Sequence, residues 1–379
     1  MKNVSAVQEM MMAMKEHGKL TERQFAGIIA NTLLGAGTLL LPRDITAVSG
    51  TGAWLSVLIG GFISIILLLL LINLGLRFPE ETIMEYGMRL TNKWIGGLIG
   101  IAFCTYWLFI TGIVVRIFSL MLVSSVLLRT PLEVIVIAML LTVLYFSRSD
   151  LQIVGRVNEI YFVFVILPIM YALFLGLREI NLIRVLPLTG GKGIMPILKG
   201  GLKSFFSFLG FEIVALFIPS LTTQKLAYNY SLKGIVTPLV AYIITMIVSV
   251  GVFGVEELQT LVWPTLELIK VTPFPGLLLE RMEAVFIAFW VVAIFTTAAN
   301  VYYASVVGFT QIFKLKEHKT LTLTLLPLAY LSAILPDNLH DVFEYVDIVT
   351  KFAAGLIITT IIIYFAAIFI KGRKGDERS

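Results

Sequence analysis

The sequence predicts an all-α polytopic membrane protein of ten transmembrane helices, arranged as two inverted halves of five with the first and sixth helices discontinuous. Three observations predict it. The 379 residues are 58% hydrophobic and only 14% charged, and the apolar residues gather in runs of about 20, long enough to cross a hydrocarbon core as helices. Basic residues collect on alternate connections between those runs, which fixes their sense across the bilayer. Two runs in corresponding positions of the two halves are interrupted, as in transporters built from inverted repeats. Solid apolar runs, in place of short alternating strands, exclude a transmembrane barrel.

Residues 1–20 are polar, carry Lys2, Lys15 and Lys19, and lack the apolar stretch and cleavage site of a signal peptide. They read as a cytoplasmic tail. Thr21 and Gln24 have the spacing of a capping box that opens the first helix. Spanning segments follow at about 22–48, 53–76, 94–128, 131–146 and 155–177. A second set runs 194–221, 232–254, 283–313, 321–335 and 342–370. Between them, 255–282 reads as a long external loop with a short helix. These elements compose a single transmembrane domain at 21–371, its first repeat about 21–178 and its second about 193–371, with a cytoplasmic tail at 372–379.

Arg77, Arg89, Lys93, Arg148, Arg156, Lys225, Lys233, Lys314, Lys316, Lys319 and Lys371 fall on the side of the N-terminus. Glu256, Glu257, Glu267, Asp337, Asp341 and Glu344 fall on the other. Both termini are therefore expected inside, which an even number of spans satisfies. Five is odd, so the second set must cross in the opposite sense to the first. The net charge of +5 fits contact with anionic lipid headgroups of the bilayer and gives no reason to expect nucleic acid. One cysteine, Cys104, leaves no intrachain disulfide and no zinc or iron–sulfur ligation. His17, His318 and His340 all lie in polar connections, where solvated histidines are expected. No phosphate loop, nucleophile elbow or HExxH motif is present, so no enzyme and no cofactor is expected.

The interruption in span one is "NTLLGAGTLLLPRD", residues 31–44. Glycine weakens a helix by about 1 kcal/mol against alanine. Gly35, Ala36 and Gly37 therefore let the backbone unwind, and unwound backbone is tolerated in a membrane only inside protein or beside a cavity. The amides of Gly37 and Thr38 then open a second half-helix whose positive end suits a carboxylate. Small residues that merely permit close helix packing are the competing reading. In span six the interruption is "FFSFLGFEIVALFIP", with Ser207, Phe208, Gly210 and Glu212. A carboxylate inside a span faces a cavity or a partner. Three roles are open to Glu212: partner of a ligand amine, proton-coupling group, or hydrogen-bonder bracing the unwound chain. Ser207 is free to bond a ligand or its own helix.

Span three carries Tyr106 and Trp107, which either wall a pocket or pack helices, and Arg116, which needs a partner or water. Span eight carries Thr296, Thr297 and Asn300, suited to a ligand, to sodium or to interhelical hydrogen bonds. Thr296 and Thr297 are the sodium candidates, and no other metal site is expected.

"GAGTLLLPR" in span one, "FPEETIMEYG" after span two and "FPGLLLERMEAVFIAFWVVAIFTT" leading into span eight together resemble the spore germination permeases. These are the B subunits of nutrient germinant receptors, a branch of the amino acid–polyamine–organocation superfamily. The likeness covers roughly residues 20–371. It implies a leucine-transporter-like fold, residence in the inner membrane of the bacterial endospore, and a membrane A subunit and a lipoprotein C subunit as partners. Carried over residue by residue, it implies that Gly35 to Thr38 and Phe208 to Gly210 flank a small nutrient, with Tyr106 and Thr297 as walls. The expected function is nutrient sensing, with an amino acid as ligand, that triggers germination through the partner subunits. The alternative is a proton- or sodium-coupled transporter of amino acids or related solutes, which would use the same cavity.

Overall fold

The computed structural model describes residues 19–35, 37–191, 193–271 and 282–376. Ala36, most of the predicted N-terminal tail and the "FPGLLLER" stretch at 274–281 lie outside the described residues.

Helix α1, Glu22–Leu33, begins as its sequence dictates: Gln24 N donates to Thr21 Oγ1 at 3.3 Å and Thr21 N to Gln24 Oε1 at 3.0 Å. The chain unwinds at Leu34 and Gly35 and resumes as α2, Gly37–Ser49. Helix α3, Ala53–Arg77, crosses next, and the short α4, Ile83–Leu90, is held by a second capping box in which Thr82 N donates to Glu85 Oε2 at 2.9 Å. Helices α5 (Lys93–Ser125), α6 (Leu132–Ser147) and α7 (Leu151–Glu179) complete the first half.

The second half opens on α8, Ile194–Ser204, which tightens into a 3₁₀ turn at Phe205–Phe208 and breaks at Gly210. The chain continues through a 3₁₀ turn at Phe211–Ile213, the single turn α9 at Val214–Phe217, and a last 3₁₀ turn at Ile218–Ser220. The two arms meet at 50°. After it come α10 (Ala227–Thr260, non-helical at Gly254), α11 (Pro264–Val271), α12 (Met282–Ile312), α13 (His318–Ile334) and α14 (Leu339–Asp376). Helix α11 is the short helix expected in the connection after span seven.

Among the described residues six helices are long and apolar enough to cross a membrane, or seven if the bent pair is one span. The chain is a multi-pass membrane protein. Phe62, Phe174, Phe352 and Ile362 point large apolar side chains outward, as a lipid-facing surface requires.

The broken helices lie at the centre. Helix α1 packs among α7, α10 and α12, while α2 packs on α8, α10 and α11. Helix α5 packs along α12 and α13. Arg116 on α5 finds its partner at the end of α13, where Nη2 donates to the Asp337 carbonyl at 3.1 Å beside the carboxylates of Glu133, Asp337 and Asp341. His318 departs from the solvated reading: it is the first residue of α13, half-buried, its ring edge-on to Tyr303 at 5.6 Å. Burial pushes its pKa below the ordinary imidazole value.

At one end of the broken pair the main chains are tied together. Leu20 N donates to the Ser220 carbonyl at 2.7 Å, and Thr222 N donates back to the Leu20 carbonyl at 3.0 Å. The Thr222 hydroxyl bonds the same carbonyl at 3.0 Å. At the opposite end the contacts run through side chains: Ser49 Oγ donates to the Pro196 carbonyl at 3.1 Å and Ser56 Oγ to the Ile197 carbonyl at 2.9 Å.

Candidate functional site

A broken helix exposes donors and acceptors that hydrocarbon cannot satisfy, so the first question is where each finds a partner. In span six the answer is Glu212. Gly210 adopts a left-handed conformation, φ 106°, which only glycine takes without strain. Its N–H donates to Glu212 Oε2 at 2.9 Å, and Trp107 Nε1 on α5 donates to Glu212 Oε1 at 2.9 Å. The Tyr106 hydroxyl lies beside the same carboxylate without closing a hydrogen bond. Glu212 is 1% exposed. Of the three roles open to it, bracing the unwound chain is the one these contacts serve directly.

In span one the freed carbonyls are met by side chains of other helices. The Tyr242 hydroxyl of α10 lies between the carbonyls of Leu33, to which it donates, and Ser207, 3.2 Å away. One phenol therefore bridges both breaks. Thr297 Oγ1 donates to the Asn31 carbonyl at 2.8 Å, and Thr265 Oγ1 to the Thr38 carbonyl at 2.7 Å. Thr38 Oγ1 turns back to Leu34, and Thr296 Oγ1 turns back to Val292 and Ala293 within its own helix.

The glycines allow the close approach. A methyl group on Gly35 would collide with the Thr297 side chain. One on Gly37 would lie 2.8 Å from Tyr242 Oη and 2.9 Å from Ser207 Cβ, and one on Gly210 would lie 2.6 Å from Thr32 Cγ2. Phe208, fully buried, stands edge-on to Tyr242 at 5.4 Å.

Beside this contact, three buried asparagines join spans one, five and eight. Asn158 and Asn300 exchange reciprocal amide hydrogen bonds at 2.8 Å each. Asn31 Nδ2 donates to Asn158 O at 2.7 Å and to Asn158 Oδ1 at 3.1 Å. Asn300 Nδ2 also reaches Thr32 Oγ1 at 3.0 Å. Replacing Asn158 with leucine is expected to destabilise the protein by about 1–3 kcal/mol, because buried amides on two other helices lose their partner. Thermal unfolding in lipid nanodiscs measures this; an unchanged melting temperature would exclude a clamping role.

The structure thus brings Gly37, Ser207, Phe208 and Tyr242 together, and separately Gly210, Glu212, Tyr106 and Trp107. Gly35 meets Thr297. A cavity of about 790 Å³ has Gly37 and Ser207 in its lining. Its walls come from α2, α3, the α8 arm and α14, with Leu40, Ile63, Phe206 and Val346 among them; Tyr106 and Thr297 are not in this lining. Sequence reasoning missed Tyr242, Asn31 and Asn158. The available signal was a polar side chain inside an apolar run, the same one that drew attention to Asn300.

Comparison with known proteins adds kinship. The family model described as Spore germination protein matches residues 19–342. Spore germination protein YndE of Bacillus subtilis is 35% identical over 338 residues, 88% of this chain and 92% of the relative. Spore germination protein A2 of the same organism is 30% identical, covering 92% of this chain and 95% of its own length. The crystal structure of MhsT in complex with L-phenylalanine superposes with a TM-score of 0.62 at 16% identity, over 90% of this chain and 87% of MhsT. That likeness shows a shared fold.

Proposed function

Since the chain belongs to the spore germination protein family, we propose that it is the nutrient-binding membrane subunit of a germinant receptor. A small nutrient, foremost an amino acid, enters the cavity and seats where spans one and six break. The observation that carries this reading is the coincidence of the two breaks at the floor of one cavity, Gly37 against Ser207. A ligand there touches both halves of the chain at once. Its binding energy is then able to shift the balance between two arrangements of those halves.

In this reading the ten helical segments form a 5+5 inverted repeat of the leucine-transporter type within residues 21–371, with both termini in the cytoplasm. The cavity then opens outward and the Leu20–Leu221 tie closes the inner side. The protein sits in the inner membrane of the spore, and movement of the broken helices passes to a membrane A subunit and a lipoprotein C subunit. Gly35, Gly37, Thr38, Ser207, Phe208 and Gly210 flank the nutrient, with Tyr106, Glu212 and Thr297 in the shell that fixes them. The fold shared with MhsT, a protein crystallised with L-phenylalanine, supports an amino-acid-sized ligand.

Deleting the gene tests the proposal. Spores are expected to lose their response to one nutrient while vegetative uptake of that nutrient is unchanged. Turnover of labelled amino acid by purified protein in liposomes, driven by an ion gradient, would instead make it a secondary transporter.

A further inference from the structure

The cavity carries five charged side chains: Asp44, Lys199, Lys203, Asp347 and Lys351. Two neutralise each other, Lys351 Nζ lying 2.6 Å from Asp347 Oδ2 on α14. Asp44, on α2, makes no ion pair or hydrogen bond with any described residue, although the charges of Lys203 and Arg43 reach it. Arg43 makes no ion pair with it and lays its guanidinium over the Phe343 ring at 5.3 Å. An unpaired carboxylate on a membrane helix, facing a cavity, calls for a cationic partner.

The placement of these charges follows from helix geometry. Gly37, Leu40, Leu41 and Asp44 occupy one face of α2, and Lys203 lies one turn before Ser207 on the facing arm. With a rise of 1.5 Å per residue, Asp44 stands about 10 Å above Gly37 and Lys203 about 6 Å above Ser207. Apart from its charged side chains the lining is mostly apolar. Its uncharged polar side chains are Ser207 and Thr350, and the Thr350 hydroxyl is engaged by the Val346 carbonyl at 2.6 Å. A sugar or nucleoside would leave most of its hydroxyls unpaired there. The Gly210 amide, freed at the span-six break, is already held by Glu212.

We propose that Asp44 and Lys203 are the two poles of a recognition site for a zwitterionic α-amino acid with an apolar side chain. Asp44 takes the ammonium group, Lys203 the carboxylate, and the side chain points past Leu40 and Leu41 towards Gly37. This deepens the nutrient-binding reading and rests on it.

Calorimetric titration of the full chain in lipid nanodiscs tests the poles with three probes. L-leucine carries both groups, 4-methylpentanoate lacks the ammonium and 3-methylbutylamine lacks the carboxylate. Wild-type protein is expected to bind leucine about tenfold or more tighter than either analogue, as loss of a charge-assisted contact implies. Asp44→Asn should weaken leucine to the level of 4-methylpentanoate while leaving that analogue unchanged, and Asp44→Glu should restore the preference. Lys203→Gln should do the same against 3-methylbutylamine. The wild-type comparison stands even where a variant fails to fold.

Three results overturn the site: no leucine binding by the wild type, equal affinity for all three probes, or a variant that weakens all three alike. If leucine binds and only Gly37→Val removes it, the poles fall and the nutrient reading stands. If the poles hold but spores lacking the gene respond normally to every nutrient, the functional reading falls and the site stands.

Discussion

Spores carrying Gly37→Val are expected to lose their nutrient response while the protein still inserts in the membrane. The added side chain begins 2.8 Å from Tyr242 Oη and 2.9 Å from Ser207 Cβ, and its two further methyl groups extend from that crowded point into the contact or the cavity. Overpacking of this kind costs about 1–3 kcal/mol. Here the strain falls on the phenol that bridges the Leu33 and Ser207 carbonyls, so the breaks separate and the cavity floor fills. Gly355→Val is the matched control. It places the same residue in α14, where an added Cβ meets nothing within 4 Å. Germination of spores with equal membrane levels of each variant is the measurement, and a normal response from Gly37→Val would remove the span-one floor from the proposed site.

The second large effect concerns Glu212. Changing it to leucine strands the Gly210 N–H and Trp107 Nε1, both donors in a buried setting. Each unpaired donor costs about 1–3 kcal/mol, so a loss of about 2–6 kcal/mol is expected. Glu212→Gln should fall between, because its amide oxygen still accepts from one of the two donors. In a Trp107→Phe background, which removes one donor, Glu212→Leu should cost less than in the wild type. Unfolding measured across the four proteins reads this coupling directly. Equal stability of Glu212→Leu and wild type would show that the carboxylate does not brace the break.

The helices were legible because apolar length is a local property. Both breaks were legible too, since Gly35, Gly37 and Gly210 stand out in sequences that otherwise favour helix. The meeting of Asn31, Asn158 and Asn300 was not. Helices α7 and α12, which carry Asn158 and Asn300, lack a sharply segregated apolar face, so their sequences give little indication of which side turns inward. The cavity walls were hidden for a related reason. The expected pocket drew on spans three and eight, whereas the space reaching Gly37 is bounded by spans one, two, six and ten. That arrangement depends on how far α14 stands from α3, a tertiary distance no local pattern encodes. Glu212 was found with three roles open, and its bracing contact could not be singled out, because Trp107 lies 105 residues away in sequence.

The tie between Leu20 and Ser220–Thr222 is made mostly of peptide groups. Side-chain drift over generations leaves it intact, and its strength is common to any sequence that folds this way. It joins the start of the first broken helix to the end of the second through main-chain groups that would otherwise need partners of their own. The Thr222 hydroxyl, which shares the Leu20 carbonyl, is the part of the tie that depends on side-chain identity.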